Sequence, residues 1–550
     1  HMNVSMQAQL YRRTFALAAF LCAVAAVVAG RLAYLQLQRP SPVLAGHASS
    51  PEAIFQPRRG NIYDCHGYLL AVATTVYDIG ATPKNVTDTY MLADRLAPLL
   101  AEPRERLLAL LQERSPYVLL KRGVSVEIAR SIMNWPVNGL QADSRSSRIY
   151  PHGTLAACVL GFVTDDAKAC YGVEEYYDEL LAGKPGFRAV ARDPLGSVLY
   201  QFSAPCDGVD LVLTLDRNMQ YVVEEALAEA VVANKAQRGV AIAMDPATGA
   251  ILAMAVHPVY DPNTRDVTDQ SLFVNWAISE NYEPGSVFKI VTIASALDAG
   301  VISPVSTYYD EGQIVVGGRV IKNSSGAAYG PTSIADLVAN SLNVGAATVS
   351  TKLGALKFYE YVRRFGFNQL TGIGLAYEAA GRVRFPGDRE WHESDLGTNS
   401  FGQGLAVTPL QMLCAISAVA NHGVLMRPYI VARVVDGDKV TESSPQVVRR
   451  VVSPETATQM TKMLVYAVDS VLTLAGIPGY RVAGKSGTSQ VPTVSGYDPQ
   501  ETIASFAGYA PADDPRVAIL VVIDRPQKEH WGIRAAAPVF REIAQQLSLI

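Results

Sequence analysis

Tyr282-Glu283-Pro284-Gly285-Ser286-Val287-Phe288-Lys289 runs from a turn straight into the apolar segment Ile290-Val291-Thr292-Ile293-Ala294. Pro284-Gly285 punctuates the chain, so a helix begins just after it and carries Ser286 in its first turn. Lys289 follows three residues later, and residues three apart are neighbours on a helical surface. The serine and the lysine therefore share a face. Desolvated by the apolar segment, the amine falls below its usual pKa and can take the serine proton, while the helix N-terminus favours developing negative charge. The plain alternative is a capping serine followed by an exposed lysine. Composition alone produces a Ser-x-x-Lys tetrad about twice in a chain of this size, so the tetrad needs companions.

Two companions follow in order. Ser341-Leu342-Asn343 comes after a helix-like run from Ser333 to Asn340, and Lys485-Ser486-Gly487-Thr488 lies in a strand-like context. A second Ser-x-Asn, Ser279-Glu280-Asn281, sits on the turn leading into the Ser286 helix and cannot easily fold back over a cleft. The Ser-x-x-Lys, Ser-x-Asn and Lys-Ser-Gly set resembles the penicilloyl serine transferase motifs. Their chemistry needs one nucleophile, one proton shuttle and one cationic clamp, brought from three separate elements to a common cleft.

A chain of 550 residues is too long for one ordinary domain, and two or three are expected. The net charge of -4 and the absence of any long basic run leave no nucleic-acid footprint, so nucleic acid is dropped as a partner. His1-Met2 reads as a cloning scar. From Thr14 to Gly30 the chain carries no charge; Arg12-Arg13 precede it, and Arg31 and Leu32-Ala33-Tyr34-Leu35-Gln36-Leu37 follow. This predicts a single membrane span over 14–37, a short cytoplasmic tail over 1–13 and an exported remainder. A cleaved signal peptide is the alternative, and it also exports the rest. Cys22 lies in the span, and the five exported cysteines, Cys65, Cys158, Cys170, Cys206 and Cys414, have spacings that match neither a zinc site nor a disulfide framework. They read as small buried side chains with one bridge at most among Cys158, Cys170 and Cys206; no pairing is assigned.

Residues 38–56, rich in Pro, Ser and Ala, form a linker. Ile62, Tyr68 and Leu70, with Gly60 and Gly67, suggest short strands around a tight turn. Helical spacing runs from Thr87 to Leu111 and from Ser125 to Trp135, and an acidic helix from Tyr171 to Leu181. No catalytic cluster shows in this half. A composition change at Cys206-Asp207-Gly208 separates a domain over 57–205 from one over 206–550. In the second, Asp210 to Leu215 is a strand and Asp216 caps a long amphipathic helix. Gly239 to Met244 and Ala250 to Val256 form a hairpin, the Ser286 helix ends at Gly300, and Ile503 to Tyr509 and Val517 to Ile523 are strands. A last helix runs from about Pro538 to Leu549. The expected fold is α+β, an antiparallel sheet flanked by helices.

Further stretches carry a wider resemblance. Arg59-Gly60-x-Ile62-x-Asp64, Met244-Asp245-Pro246-x-Thr248-Gly249, Asp261-Pro262-Asn263, Gly402-Gln403-Gly404 with Thr408-Pro409, and Phe506-Ala507-Gly508 with Pro511 are similar to signatures of the class B, or monofunctional, penicillin-binding proteins, the peptidoglycan D,D-transpeptidases. The resemblance covers nearly all of the exported chain. It implies a non-catalytic pedestal of the dimerisation type over 57–205 and a penicillin-binding, serine β-lactamase-like transpeptidase domain over 206–550. It further implies that Ser286 attacks the penultimate D-alanine carbonyl of a stem pentapeptide with Lys289 as base. Ser341 would pass protons to the leaving amine, Asn343 would bond Lys289 and the substrate amide, and Lys485 would add positive potential beside Ser341. Ser486, Gly487 and Thr488 would line the substrate and oxyanion side, Thr488 taking the donor carboxylate. Three places depart from the pattern: Cys65-His66-Gly67 stands where Arg-Asn-Gly is usual, Trp276 where arginine is common, and Asp469-Ser470 where Gly-Thr is found.

The same resemblance implies β-lactam acylation of Ser286, a lipid-linked stem-peptide donor and an acceptor stem peptide. It implies no cofactor and no metal, and His47, His66, His152, His257, His392, His422 and His530 show no zinc spacing. A polytopic glycosyltransferase of the shape, elongation, division and sporulation family is the expected partner at the cytoplasmic membrane. The compact pedestal and the lack of a C-terminal repeat lean the expectation toward division over elongation. Two other classes compete. A β-lactam sensor needs more spans and a cytoplasmic effector, and a serine β-lactamase needs a water-activating base and no pedestal.

Overall fold

The computed structural model describes residues 23, 24, 26–29, 31, 53–192, 198–264, 268–493 and 496–547. Most of the expected span over 14–37 lies outside them, and among the described residues no helix is long and apolar enough to cross a membrane. The chain divides into two compact units. The smaller is a three-stranded antiparallel sheet of Ala53–Phe55, Gly186–Arg192 and Val198–Ser203. The larger takes in Arg58–Ala182 and the chain from Gly208 onward, and holds every site residue.

In chain order, the elements of the larger unit that position the site are helix α1 (Arg217–Ala233), strands β1 (Arg238–Met244) and β2 (Ile251–His257), and helices α2 (Lys289–Asp298), α3 (Ile334–Asn340), α4 (Asn343–Leu353) and α5 (Pro409–Ala420). Strands β3 (Ala483–Thr493), β4 (Gly496–Ala510) and β5 (Val517–Asp524) and helix α6 (Ala537–Leu547) complete the set. The strands form one antiparallel sheet in the order β2-β1-β5-β4-β3. Every residue of β5 is buried, as its unbroken apolar run requires of a central strand covered on both faces. Helix α5 is apolar except for Gln411 and Ser417 and buried at every position, which makes it a core helix; Thr408 caps it and Pro409 occupies its first turn. Asp216 caps α1 by accepting from Asn218 and Met219 N–H at 2.8 and 3.1 Å, a bond pair that stabilises by about 0.5–2 kcal/mol.

A second sheet orders Lys439–Glu442, Val431–Asp436, Asp210–Leu213, Ile62–Tyr63, Leu69–Ala81 and Val118–Val124, with Leu140–Ile149 also paired to Leu69–Ala81. Leu69–Ala81 is a long strand rather than the short one expected, because two partners pair along it. The helical stretch from Thr87 to Leu111 is two helices, Thr89–Leu100 and Arg104–Leu111, since Ala101 turns left-handed (φ 47°) and Pro103 follows. The acidic stretch likewise splits into Gly172–Tyr176 and Asp178–Leu181, where Tyr177 leaves helical dihedrals. The one bridge allowed for among Cys158, Cys170 and Cys206 is not formed among the described residues, and Cys158 is buried with its thiol toward Met254 O.

Beside this sheet, Arg59 from the Arg59-Gly60 signature and Arg148 grip the fully buried carboxylate of Glu174, at 2.8 and 2.6 Å from their Nε atoms. Arg148 also donates to Gly60 O at 2.7 Å, which fixes the backbone at the start of the signature. Removing one partner of a buried ionic set strands the others without water. Glu174→Ala is therefore expected to lower stability by about 3–5 kcal/mol, read as a fall in the thermal midpoint by circular dichroism.

Candidate active site

Gly285–Phe288 is a 3-10 turn that continues directly into α2, so Ser286 precedes the α-helix instead of lying in its first turn. In a 3-10 turn side chains three apart eclipse, which stacks Lys289 over Ser286 more squarely than an α-turn does. The separation of Lys289 Nζ from Ser286 Oγ is 3.0 Å. Lys289 is fully buried among the apolar residues of α2. Burial, and then the charge of Lys485, hold its amine well below the usual lysine range.

The Ser-x-Asn motif closes over the same amine. Ser341 ends α3 in the left-handed conformation, φ 59° and ψ 44°. That turn aims its carbonyl at Lys289 Nζ, 2.6 Å away, with Ser341 Oγ at 3.3 Å. Asn343 opens α4, accepts from Lys289 Nζ on Oδ1 at 2.8 Å, and donates from Nδ2 to Lys322 O at 3.2 Å. The discounted motif is elsewhere: Ser279 ends the helix Trp276–Ser279.

Lys485 to Thr488 lie on β3, the edge strand of the sheet. Lys485 is fully buried, donates to Ser486 O at 3.0 Å, and has its pKa lowered to about 7 by burial. Among the described residues it makes no hydrogen bond to Ser341, and its charge is felt at Lys289. The strand alternates: Lys485 and Gly487 are buried, and Ser486 and Thr488 are half-buried on the other face. Thr488 Oγ1 accepts from Gly532 N–H at 3.0 Å.

Close packing holds the serine turn between two walls. On one side a Cβ at Gly487 would stand 2.8 Å from Val287 Cγ2 and 2.9 Å from Pro284 O, so only glycine lets β3 approach. Ser489 Oγ donates to Glu283 O at 2.8 Å across the same seam. On the other side Gly285 N–H donates to Gly402 O at 3.1 Å, and Gly402, at φ 78°, has no room for a Cβ against Gly285 O. Glu283 lies below, accepting from Gly404 N–H and from Tyr497 OH, each at 3.1 Å for its nearer oxygen, and burial pushes its carboxyl up to about 7.

An 800 Å³ cleft opens beside Asn343 and Thr488, rimmed by Arg319, Lys322, His530 and Trp531. Sequence reading missed these rim residues. Arg319 and Lys322 stand on a hairpin of Gln313–Val316 and Arg319–Lys322 whose Gly317-Gly318 turn between β-branched residues is a legible hairpin signal. His530 and Trp531 carry no such signal; they are set by Thr502 Oγ1 donating to His530 O at 3.0 Å.

Residues 239–545 match the penicillin binding protein transpeptidase domain, and residues 54–213 match the penicillin-binding protein dimerisation domain. The chain belongs to the penicillin-binding protein transpeptidase family. Stage V sporulation protein D of Bacillus subtilis is 32% identical over 94% of this chain and 82% of its own length. Peptidoglycan D,D-transpeptidase FtsI of Escherichia coli K12 is also 32% identical, over 94% of this chain and 88% of its own. Among solved structures, penicillin binding protein 3 of Mycobacterium tuberculosis complexed with aztreonam aligns with a TM-score of 0.71 at 28% identity, covering 90% of this chain and 97% of that one.

If the glycine seam sets the nucleophile's position, Gly487→Ala shifts the serine turn while the sheet still forms. The expected result is a loss of about 100-fold in the rate of covalent labelling by a fluorescent penicillin, with an unchanged circular dichroism spectrum.

Proposed function

We propose that the protein is a peptidoglycan D,D-transpeptidase that links stem peptides through an acyl-enzyme on Ser286. The observation that carries the reading is a fully buried amine 3.0 Å from the Ser286 hydroxyl. A neutral amine has two hydrogens, and Ser341 O and Asn343 Oδ1, at 2.6 and 2.8 Å, accept both. The lone pair is left to accept the Ser286 proton, so Lys289 is the base of the acylation step.

Ser286 Oγ attacks the penultimate D-alanine carbonyl of the donor pentapeptide. The peptide bond to terminal D-alanine breaks, an ester forms, and the Ser286 proton passes by way of Lys289 and Ser341 to the leaving amine. Backbone N–H groups of Ser286 and Thr488 stabilise the oxyanion; the edge position of β3, where alternate N–H groups point off the sheet, supports that role. Asn343 holds the substrate amide, Lys485 adds positive potential, and Ser486, Gly487 and Thr488 line the donor side, with Thr488 binding the carboxylate. An amine of a second stem peptide then resolves the ester into a crosslink. The basic rim of Arg319 and Lys322, with no acidic side chain lining the cleft among the described residues, suits an anionic peptide.

Residues 14–37 anchor the chain in the cytoplasmic membrane, residues 57–205 act as pedestal and residues 206–550 as the catalytic domain. Support for the anchor is the uncharged run from Thr14 to Gly30 behind Arg12-Arg13. A polytopic glycosyltransferase of the shape, elongation, division and sporulation family supplies the glycan strands in septal or elongation synthesis.

Fluorescent penicillin tests the reading. A long-lived adduct is expected on Ser286, located by peptide mass spectrometry and missing in Ser286→Ala. Rapid turnover without an adduct points to a β-lactamase, and an adduct elsewhere removes Ser286 from its role.

The labelling rate is also expected to follow a bell-shaped pH profile. Lys289 acts neutral, so the rate rises as pH climbs through its depressed pKa; Lys485 acts charged, so the rate falls as pH passes about 7. Arginine stays protonated, and Lys485→Arg should keep the acidic limb and lose the alkaline one. Glu283 loses its proton in the same range, and Glu283→Gln isolates its share.

A further inference from the structure

The turn that follows the Arg59-Gly60-x-Ile62-x-Asp64 signature takes no part in the chemistry above, and Cys65-His66 there departs from the family pattern. Asp64 closes this turn. Its Oδ1 accepts from His66 and Tyr68 N–H at 2.9 and 2.8 Å, and its Oδ2 from Arg217 N–H at 3.1 Å, so both oxygens are engaged. Cys65 N–H donates to Leu215 O at 2.9 Å, which draws the turn against the head of α1. His66 Nε2 then lies 2.9 Å from Asp216 Oδ2, while Asp216 Oδ1 is held by the α1 cap. One donor atom each from Cys65, His66 and Asp216 lie within 4.8 Å of one another. Asp216 is buried, Cys65 half-buried and His66 exposed, so the cluster has a rigid floor and an open side.

We propose that Cys65 Sγ, His66 Nε2 and Asp216 Oδ2 bind one divalent cation of the zinc class, tying the turn to the first residues of α1. Sulfur, imidazole and carboxylate are the donor set that zinc takes, and thiolate with carboxylate balances its charge. Calcium or magnesium, which seek six or more oxygens or an octahedron of them, find one carboxylate oxygen here. Tetrahedral bonds of about 2.0–2.2 Å spread the nitrogen and oxygen to about 3.3 Å, a small outward swing that the exposed His66 ring can make. On binding, a zinc–sulfur bond replaces the S–H bond and the thiol proton goes to water; His66 carries its remaining proton on Nδ1, and a water fills the fourth position. The neighbouring cations are Arg433 and Arg217, the latter stacked 4.0 Å over the Tyr68 ring. No motif could reveal the set, because Asp216 lies 150 residues from His66.

The test uses the full chain in detergent, stripped with a chelator and titrated with Zn2+ against a chromophoric competitor, then with Co2+ alone. One equivalent should bind, and the Co2+ form should show a thiolate charge-transfer band. Cys65→Ser should lose that band, and Cys65→Ser, His66→Ala and Asp216→Asn should each weaken Zn2+ binding more than about 100-fold. Asparagine caps a helix as well as aspartate, so Asp216→Asn removes the ligand and keeps α1 capped. Penicillin labelling of Ser286 confirms that each variant is folded, and Cys206→Ser, at an exposed cysteine, should bind as the parent does. Absence of stoichiometric binding overturns the proposal. So does binding that survives Cys65→Ser and Asp216→Asn, or that is lost with Cys206→Ser.

Discussion

An amine with no access to water, held against a serine hydroxyl, imposes conditions on everything around it. The surroundings must be apolar enough to keep Lys289 from holding a proton, which is why α2 buries every residue from Lys289 to Leu297. They must also satisfy two N–H donors at that depth. One is met only because Ser341 adopts a left-handed backbone, a conformation that costs a non-glycine residue of order 1 kcal/mol or more and persists where packing on both sides enforces it. The other is met by Asn343 at the start of α4. Three helices thus converge on one nitrogen, and the site is part of the core.

Around that nitrogen, charge is arranged by burial more than by pairing. Lys485 lies on the edge strand with a backbone carbonyl as its hydrogen-bond partner, and Glu283 sits beneath the serine turn with a tyrosine hydroxyl and a backbone N–H. Both groups are moved to about 7, one down and one up, by the same loss of water. Two ionisable groups that change state near neutrality beside Lys289 make the charge of the site responsive to pH in that range. Arg319 and Lys322 at the rim of the cleft do the opposite: both are exposed, and they put positive charge at its mouth.

Much of this was legible in the amino-acid order, and the parts that were not share a cause. Ser286, Lys289, Ser341, Asn343 and Lys485 each stand in short motifs, and the strands β1, β2 and β5 show plain apolar runs, so their types and order could be read. Asp216 was recognisable as a cap because capping depends on its immediate neighbours. The 3-10 turn at Ser286 was read as α-helix, since both periods bring residue three onto the same face. The helix expected from Thr87 to Leu111 missed its break at Ala101, where an alanine turns left-handed without a glycine to announce it. Longer-range facts were invisible: Glu174 gripped by Arg59 and Arg148, the rim residues His530 and Trp531, and the meeting of Cys65 and His66 with Asp216. Each depends on segments that meet only when the sheets have formed.

The most direct test of the account is to incubate the protein with a donor stem pentapeptide and a labelled D-amino acid as acceptor, following released D-alanine and the exchanged peptide by mass spectrometry. The account predicts D-alanine release matched by label incorporated at the same position, with both lost in Ser286→Ala and Lys289→Ala. Incorporation that persists in Ser286→Ala, or D-alanine release that yields only the hydrolysed tetrapeptide at saturating acceptor, would contradict it.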